Sequence, residues 1–171
     1  MQNTKVHIIV GNPDTGKTTT AWLVYLMLKE KGTVEYFRSF DDGCYEIKES
    51  KEPKNEIHRF TNHYGEEKAW DFCAIIVVND VRIAIYSGGD NERIMNIAFQ
   101  WVGQIIPDYF VGCCRSHGRS SARKKLKEYM DQYEMTLHRV YSDYEKADLN
   151  HAKESRKALA IDIVDAILAN R

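Results

Sequence analysis

The segment Gly11-Asn12-Pro13-Asp14-Thr15-Gly16-Lys17-Thr18-Thr19 places two glycines around a four-residue loop, followed at once by a lysine and threonines. Each residue type has a chemical reason to stand there if the turn holds the phosphates of a nucleotide. Glycines permit the sharp turn and let backbone N–H groups approach phosphate oxygens, and a helix starting directly after adds the positive end of its dipole. Lysine then pairs with the outer phosphates, and the first threonine hydroxyl ligates Mg²⁺. Gly11, Asn12, Pro13, Asp14, Thr15, Gly16, Lys17, Thr18 and Thr19 are therefore the candidate cofactor-binding residues, with Lys17 also catalytic and Thr18 a metal ligand. An inward Asp14 would repel phosphate, so its carboxylate is expected to point to solvent.

Such a turn needs an acidic residue on the metal side. Asp80 follows the apolar run CAIIVVN, and Asp90 follows VRIAIYSGG. The two runs flank only Asn79-Asp80, a hairpin signal. If the strand over 81–86 is parallel to the strand before Gly11, its end, Ser87-Gly88-Gly89-Asp90, shares an edge with the glycine turn, and Asp80 sits at the opposite edge. Ligands bind at the carboxyl ends of strands in open α/β sheets. Asp90 is thus preferred as catalytic acid and metal ligand, with Asp80 the candidate if the hairpin fails. Asp41 and Asp42 are acidic candidates for contact with an acceptor, and Glu92 for positioning water. Arg115, Arg119 and Arg123, spaced by four, follow the apolar run YFVGCC; guanidinium groups there could clamp a transferring phosphoryl group. Arg115 is the catalytic candidate among them, and His117 is read as a loop residue.

The elements that must position these residues alternate. A buried strand over Val6–Val10 is followed by a helix over 17–31 that stops at Gly32, then a strand over 33–40. Residues 41–71 mix charge, Gly and Pro and read as an inserted hairpin or lid. After the hairpin at 73–86 come a helix over 91–105, a strand over 109–114, a helix over 120–133, a strand over 136–141 and a helix over 150–169. The expected fold is α/β: one doubly wound, mostly parallel sheet with helices on both faces.

At 171 residues and 43% hydrophobic content, the chain fits a single domain, 1–171. A formal net charge of −1 gives no bulk electrostatic reason for a nucleic-acid partner. No apolar run has the length of a signal-peptide core or a membrane span, so a cytoplasmic protein without membrane contact is expected. Cys44, Cys73, Cys113 and Cys114 lack metal-type spacing and are expected to be reduced.

At Gly11, Gly16, Lys17 and Thr18 the sequence resembles the P-loop NTPase superfamily, with Gly11–Thr18 as its Walker A motif. The hairpin and glycine turn at 73–90 look like those of the small kinase and GTPase branch, although here the acid follows the glycines. The 115–123 stretch resembles the arginine-bearing lid of small nucleoside and metabolite kinases. The resemblance implies ATP and Mg²⁺ as cofactors. ATP is preferred over GTP because nothing resembles an N-K-x-D element. Three functions stay open: a small kinase, which the length and the 115–123 stretch favour; a regulatory ATPase acting on a protein partner; and a non-enzymatic nucleotide-binding module.

Overall fold

The computed structural model describes residues 2–12, 16–48, 59–61, 67–116, 121–140 and 149–169. The elements are β1 (Gln2–Gly11), α1 (Lys17–Lys29), β2 (Thr33–Ser39), β3 (Arg59–Thr61), β4 (Glu67–Ala69), β5 (Phe72–Val78), β6 (Val81–Tyr86), α2 (Glu92–Ile105), β7 (Tyr109–Arg115), α3 (Ala122–Met130), β8 (Tyr133–Arg139) and α4 (Leu149–Ala169). Six strands form one sheet in the order β2-β5-β6-β7-β1-β8, and β3 pairs with β4 as a separate antiparallel ribbon. That ribbon falls within the segment expected to hold an inserted hairpin.

The sheet is mixed, a correction to the mostly parallel sheet expected. The β6–β7, β7–β1 and β1–β8 pairings are parallel, but both neighbours of β5 are antiparallel to it. The cause is local. Asn79 and Asp80 take φ of 49° and 65°, the left-handed pair that a two-residue hairpin turn requires and that Asn and Asp tolerate. The turn reverses the chain, and β2 then pairs with the reversed strand.

Alternation along the strands sends side chains into two cores. On one face Ile9, Ala74, Ile76, Ile83, Ile85 and Val111 pack with Ala21, Val24, Tyr25 and Leu28 of α1 and with Ala160, Ile163, Val164 and Ile167 of α4. On the other, Val6, Ile8, Val10, Ile75, Ala84 and Phe110 pack with Ile94, Ala98 and Val102 of α2 and Leu126 of α3. The last helix shows the stripe its spacing predicts. The helix expected over 120–133 is shorter, because Tyr133 turns its buried ring into the second core and begins β8. All four cysteines are free, and among the described residues no helix is long and apolar enough to cross a membrane.

His7 on β1 and His138 on β8 share a hydrogen bond between Nδ1 and Nε2 at 2.9 Å, with their rings stacked. Burial, then the neighbouring His138 and Lys5 charges, lower the His7 pKa from 6.5 to about 4. His138 is lowered by burial too, against an upward pull from Asp162. Between about 6.5 and about 4 the unfolded chain therefore binds a proton that folded His7 refuses, so stability falls as pH falls through this window, with a slope of at most about 1.4 kcal/mol per pH unit. Urea midpoints taken from pH 7 to pH 4.5 should decline less steeply in His7→Gln than in the parent.

Candidate functional site

Gly11 ends β1 and Gly16 precedes α1 as its N-cap. Gly16 has φ of 87°, left-handed backbone that favours glycine. Its carbonyl accepts from both the backbone N–H and the hydroxyl of Thr20, each at 2.9 Å, so the first helical turn is held from inside. Lys17 is buried and its Nζ donates to the Asn12 carbonyl at 2.8 Å, which keeps the ammonium on the turn. The turn is also tied to the next strand. Ser116 Oγ donates to Asn12 Oδ1 at 2.8 Å, and the Ser116 N–H donates to the Gly11 carbonyl at 3.0 Å. Thr19 is exposed; Pro13, Asp14 and Thr15 lie outside the described residues.

The acid hydrogen-bonded to Thr18 is Asp71, which the sequence reading passed over. Thr18 Oγ1 donates to Asp71 Oδ1 at 2.7 Å. Ser87 Oγ reaches the same oxygen at 3.0 Å, and the Tyr45 hydroxyl donates to Asp71 Oδ2 at 2.9 Å. Ser87 also accepts from the Phe72 N–H at 2.9 Å, so Asp71 is fixed where β5 begins and β6 ends. Burial, then the Asp71 charge, pushes the Tyr45 phenol upward and keeps it a neutral donor. The hairpin itself carried the signal: the turn that sends Asp80 to the far edge returns the start of β5 to the near one.

Asp90 lies on the near edge, as expected, in an ion pair with Arg115 at 3.2 Å. The pair is part-exposed and worth under about 1 kcal/mol, so it constrains neither group strongly. The charges of Lys17, Asp71 and Asp90 all act on the buried Cys113 thiol, and those of Lys17, Arg123 and Asp90 on Cys114. Lys17, Asp71, Asp90, Arg123 and, through its ion pair, Arg115 thus share one neighbourhood. Burial dominates both thiols, raising Cys114 to about 11 and Cys113 further, so neither is a ready thiolate.

The remaining candidates separate from this group. Asp80 is exposed in the hairpin turn, and Asp41 and Glu92 are exposed. Asp42 is held by Arg38 at 2.9 Å, Lys48 at 3.2 Å and the Cys44 N–H at 3.0 Å, an arrangement that closes its own loop. His117 and Arg119 lie outside the described residues.

The oxygen pair of Thr18 and Asp71 suits a small hard cation. Mg²⁺ takes one or two protein oxygens and completes its shell with water and phosphate. Among the described residues no group of three or more His, Cys, Asp or Glu side chains could hold a metal ion by itself. No family model, curated protein or solved structure matches the chain.

Gly89 brings the Asp90 turn against β7. A Cβ there would strike the Cys113 carbonyl group and stand 3.0 Å from the Cys114 nitrogen, and the Arg115 N–H donates to the Gly89 carbonyl at 2.9 Å. Gly89→Ala should lower stability by about 1–3 kcal/mol through overpacking. In Gly103→Ala the new methyl meets nothing within 4 Å, and the helix should gain about 0.5–1 kcal/mol. Denaturant titrations of both variants check the contrast.

Proposed function

We propose that the chain binds MgATP in the turn over 11–18, in the manner of a P-loop NTPase, and transfers the γ-phosphoryl group to an acceptor as a small kinase. The observation that carries the reading is the 2.7 Å hydrogen bond from Thr18 to Asp71, made at the start of the helix that also bears Lys17. Motif spacing alone predicts a lysine and a hydroxyl. The fold adds a carboxylate beside that hydroxyl, from just before a strand remote in sequence, and this supports reading Asp71 as the metal-side acid the chemistry needs.

On this reading the backbone N–H groups of the turn and the Lys17 ammonium hold the β and γ phosphates and stabilise charge on the transferring group. Lys17 gives up the Asn12 carbonyl for phosphate oxygens. Thr18 and Asp71 hold Mg²⁺, with Asp90 beside them. The ion, when bound, neutralises phosphate charge and fixes the phosphates for in-line attack. Arg115, only loosely paired to Asp90, is placed to complete the clamp. Tyr45 joins the 41–48 segment to Asp71, which makes that segment a wall of the site and a place for an acceptor.

Calorimetric titration with ATP, with and without Mg²⁺, tests the binding. Lys17→Ala should bind at least about tenfold more weakly and lower any turnover by about 10²-fold or more, while remaining folded. Asp71→Asn should reduce the dependence of ATP affinity on Mg²⁺, whereas Asp80→Asn should leave it unchanged. Equal binding by Lys17→Ala and the parent overturns the phosphate-site reading. ADP release without an added acceptor separates the chemistries: a kinase releases almost none, and steady release that Lys17→Ala removes identifies an ATPase.

A further inference from the structure

Three hydroxyl groups from separate segments donate to one carboxylate. Thr18 and Ser87 both reach Oδ1 of Asp71, at 2.7 and 3.0 Å, and Tyr45 reaches Oδ2 at 2.9 Å. Turning the carboxylate about its Cβ–Cγ bond would break all three bonds, so its two oxygens keep different partners. The Tyr45 hydroxyl is itself firmly placed. Its own carbonyl accepts from the Tyr86 hydroxyl at 2.7 Å, and its ring lies against Phe40 with centroids 5.0 Å apart. Tyr86 and Phe40 are fully buried members of the second core, so the anchor of Tyr45 is as rigid as that core. Gly88 leaves room for the ring: a Cβ there would stand 2.9 Å from Tyr45 Cε1 and 3.0 Å from Cδ1. The phenol stays a donor, because burial and then the Asp71 charge oppose its ionisation. Oδ2 thus has a fixed occupant, and Oδ1, beside Thr18 Oγ1, is the oxygen that faces an ion held by both residues.

That division bears on which cation fits. Mg²⁺ takes few protein oxygens and keeps much of its water, whereas Ca²⁺ gathers a larger oxygen shell and often takes both oxygens of one carboxylate. We propose that Tyr45 is a positioning residue for cation choice: by holding Oδ2 it limits Asp71 to one oxygen, and so favours MgATP over CaATP. This rests on the phosphate-site reading above. Removing the hydroxyl frees Oδ2 while Thr18 and Ser87 still hold Oδ1, so the acid stays in place and can offer both oxygens to the larger ion.

Calorimetric titration with ATP in Mg²⁺ and, separately, in Ca²⁺ is compared among the parent, Tyr45→Phe, Tyr36→Phe and Lys17→Ala. Phenylalanine at 45 keeps the ring on Phe40 and removes only the hydroxyl. Tyr36→Phe removes a different hydroxyl from the same segment, the one that donates to the Lys48 carbonyl at 2.7 Å, and so loosens residues 41–48 without touching Asp71. The parent should bind MgATP about tenfold or more tighter than CaATP, and Tyr45→Phe should shrink that ratio about fivefold or more by gaining affinity for CaATP. Tyr36→Phe should keep the parental ratio to within about twofold. If Tyr45→Phe keeps the parental ratio, or weakens both forms equally, the hydroxyl is a structural tie and the proposal fails while the phosphate site stands. The same holds if the ratio shrinks only through weaker MgATP binding, or if the parent binds the two forms alike. A ratio in Tyr36→Phe that falls as far as in Tyr45→Phe also overturns the proposal, because looseness of the segment is then the cause. If the parent binds no ATP, or Lys17→Ala binds like the parent, both readings fail.

Discussion

The hydrogen bond between Thr18 and Asp71 depends on one strand running backwards. Thr18 stands one residue into α1, just past the C-terminal end of β1, and Asp71 just before β5. In a wholly parallel sheet the residue before a strand lies at the edge opposite to the residue after one. The turn at Asn79 and Asp80 reverses β5 against β6, so the entrance of β5 and the exits of β1, β6 and β7 share an edge. Two residues with positive φ therefore decide which carboxylate meets the threonine. The energy of the hydrogen bond itself, about 1 kcal/mol for an ordinary pair and more with a charged acceptor, is small beside the packing that holds the sheet in that order.

That packing also sets the precision of the edge. Gly89 meets the backbone of β7 closely enough to exclude any side chain, and Ser116 binds both Gly11 and Asn12. The turns after β1, β6 and β7 are thus linked through main-chain and short polar contacts, not through long flexible side chains. Such links lose little rotamer entropy on folding. The longer groups, Arg115 and Asp90, pair at the part-exposed rim, where an ion pair is cheap to break. Rigid backbone beneath adaptable charge is the arrangement expected of a site whose partners change.

Most elements were legible because their signals are local: apolar runs bounded by Gly11, Gly32 and Pro107, the Asn79-Asp80 turn, and the stripe in α4. Strand order was not, because pairing depends on which buried runs fit side by side, and no local pattern says that β2 joins β5. The same division runs through the site. Gly16, Lys17 and Thr18 come from one stretch and can be read from spacing, while Asp71 and Tyr45 come from two remote segments. Asp71 was nonetheless within reach, since the hairpin logic that moved Asp80 to the far edge applies equally to the residue before β5.

The near-zero net charge conceals a local gathering of cations at one edge of the sheet. Lys17 stands at the start of α1, while Arg115 and Arg123 stand at the end of β7 and the start of α3. Asp71 and Asp90 stand in the same neighbourhood. A cation at a helix N-terminus opposes its dipole, so Lys17 stands against the local field of α1. Natural sequences depart from local consistency mainly where function requires it. On the proposed reading, a triphosphate would satisfy the dipole and the Lys17 ammonium together. Binding energy would then come in part from relieving the opposition between Lys17 and the dipole, and not only from forming new contacts.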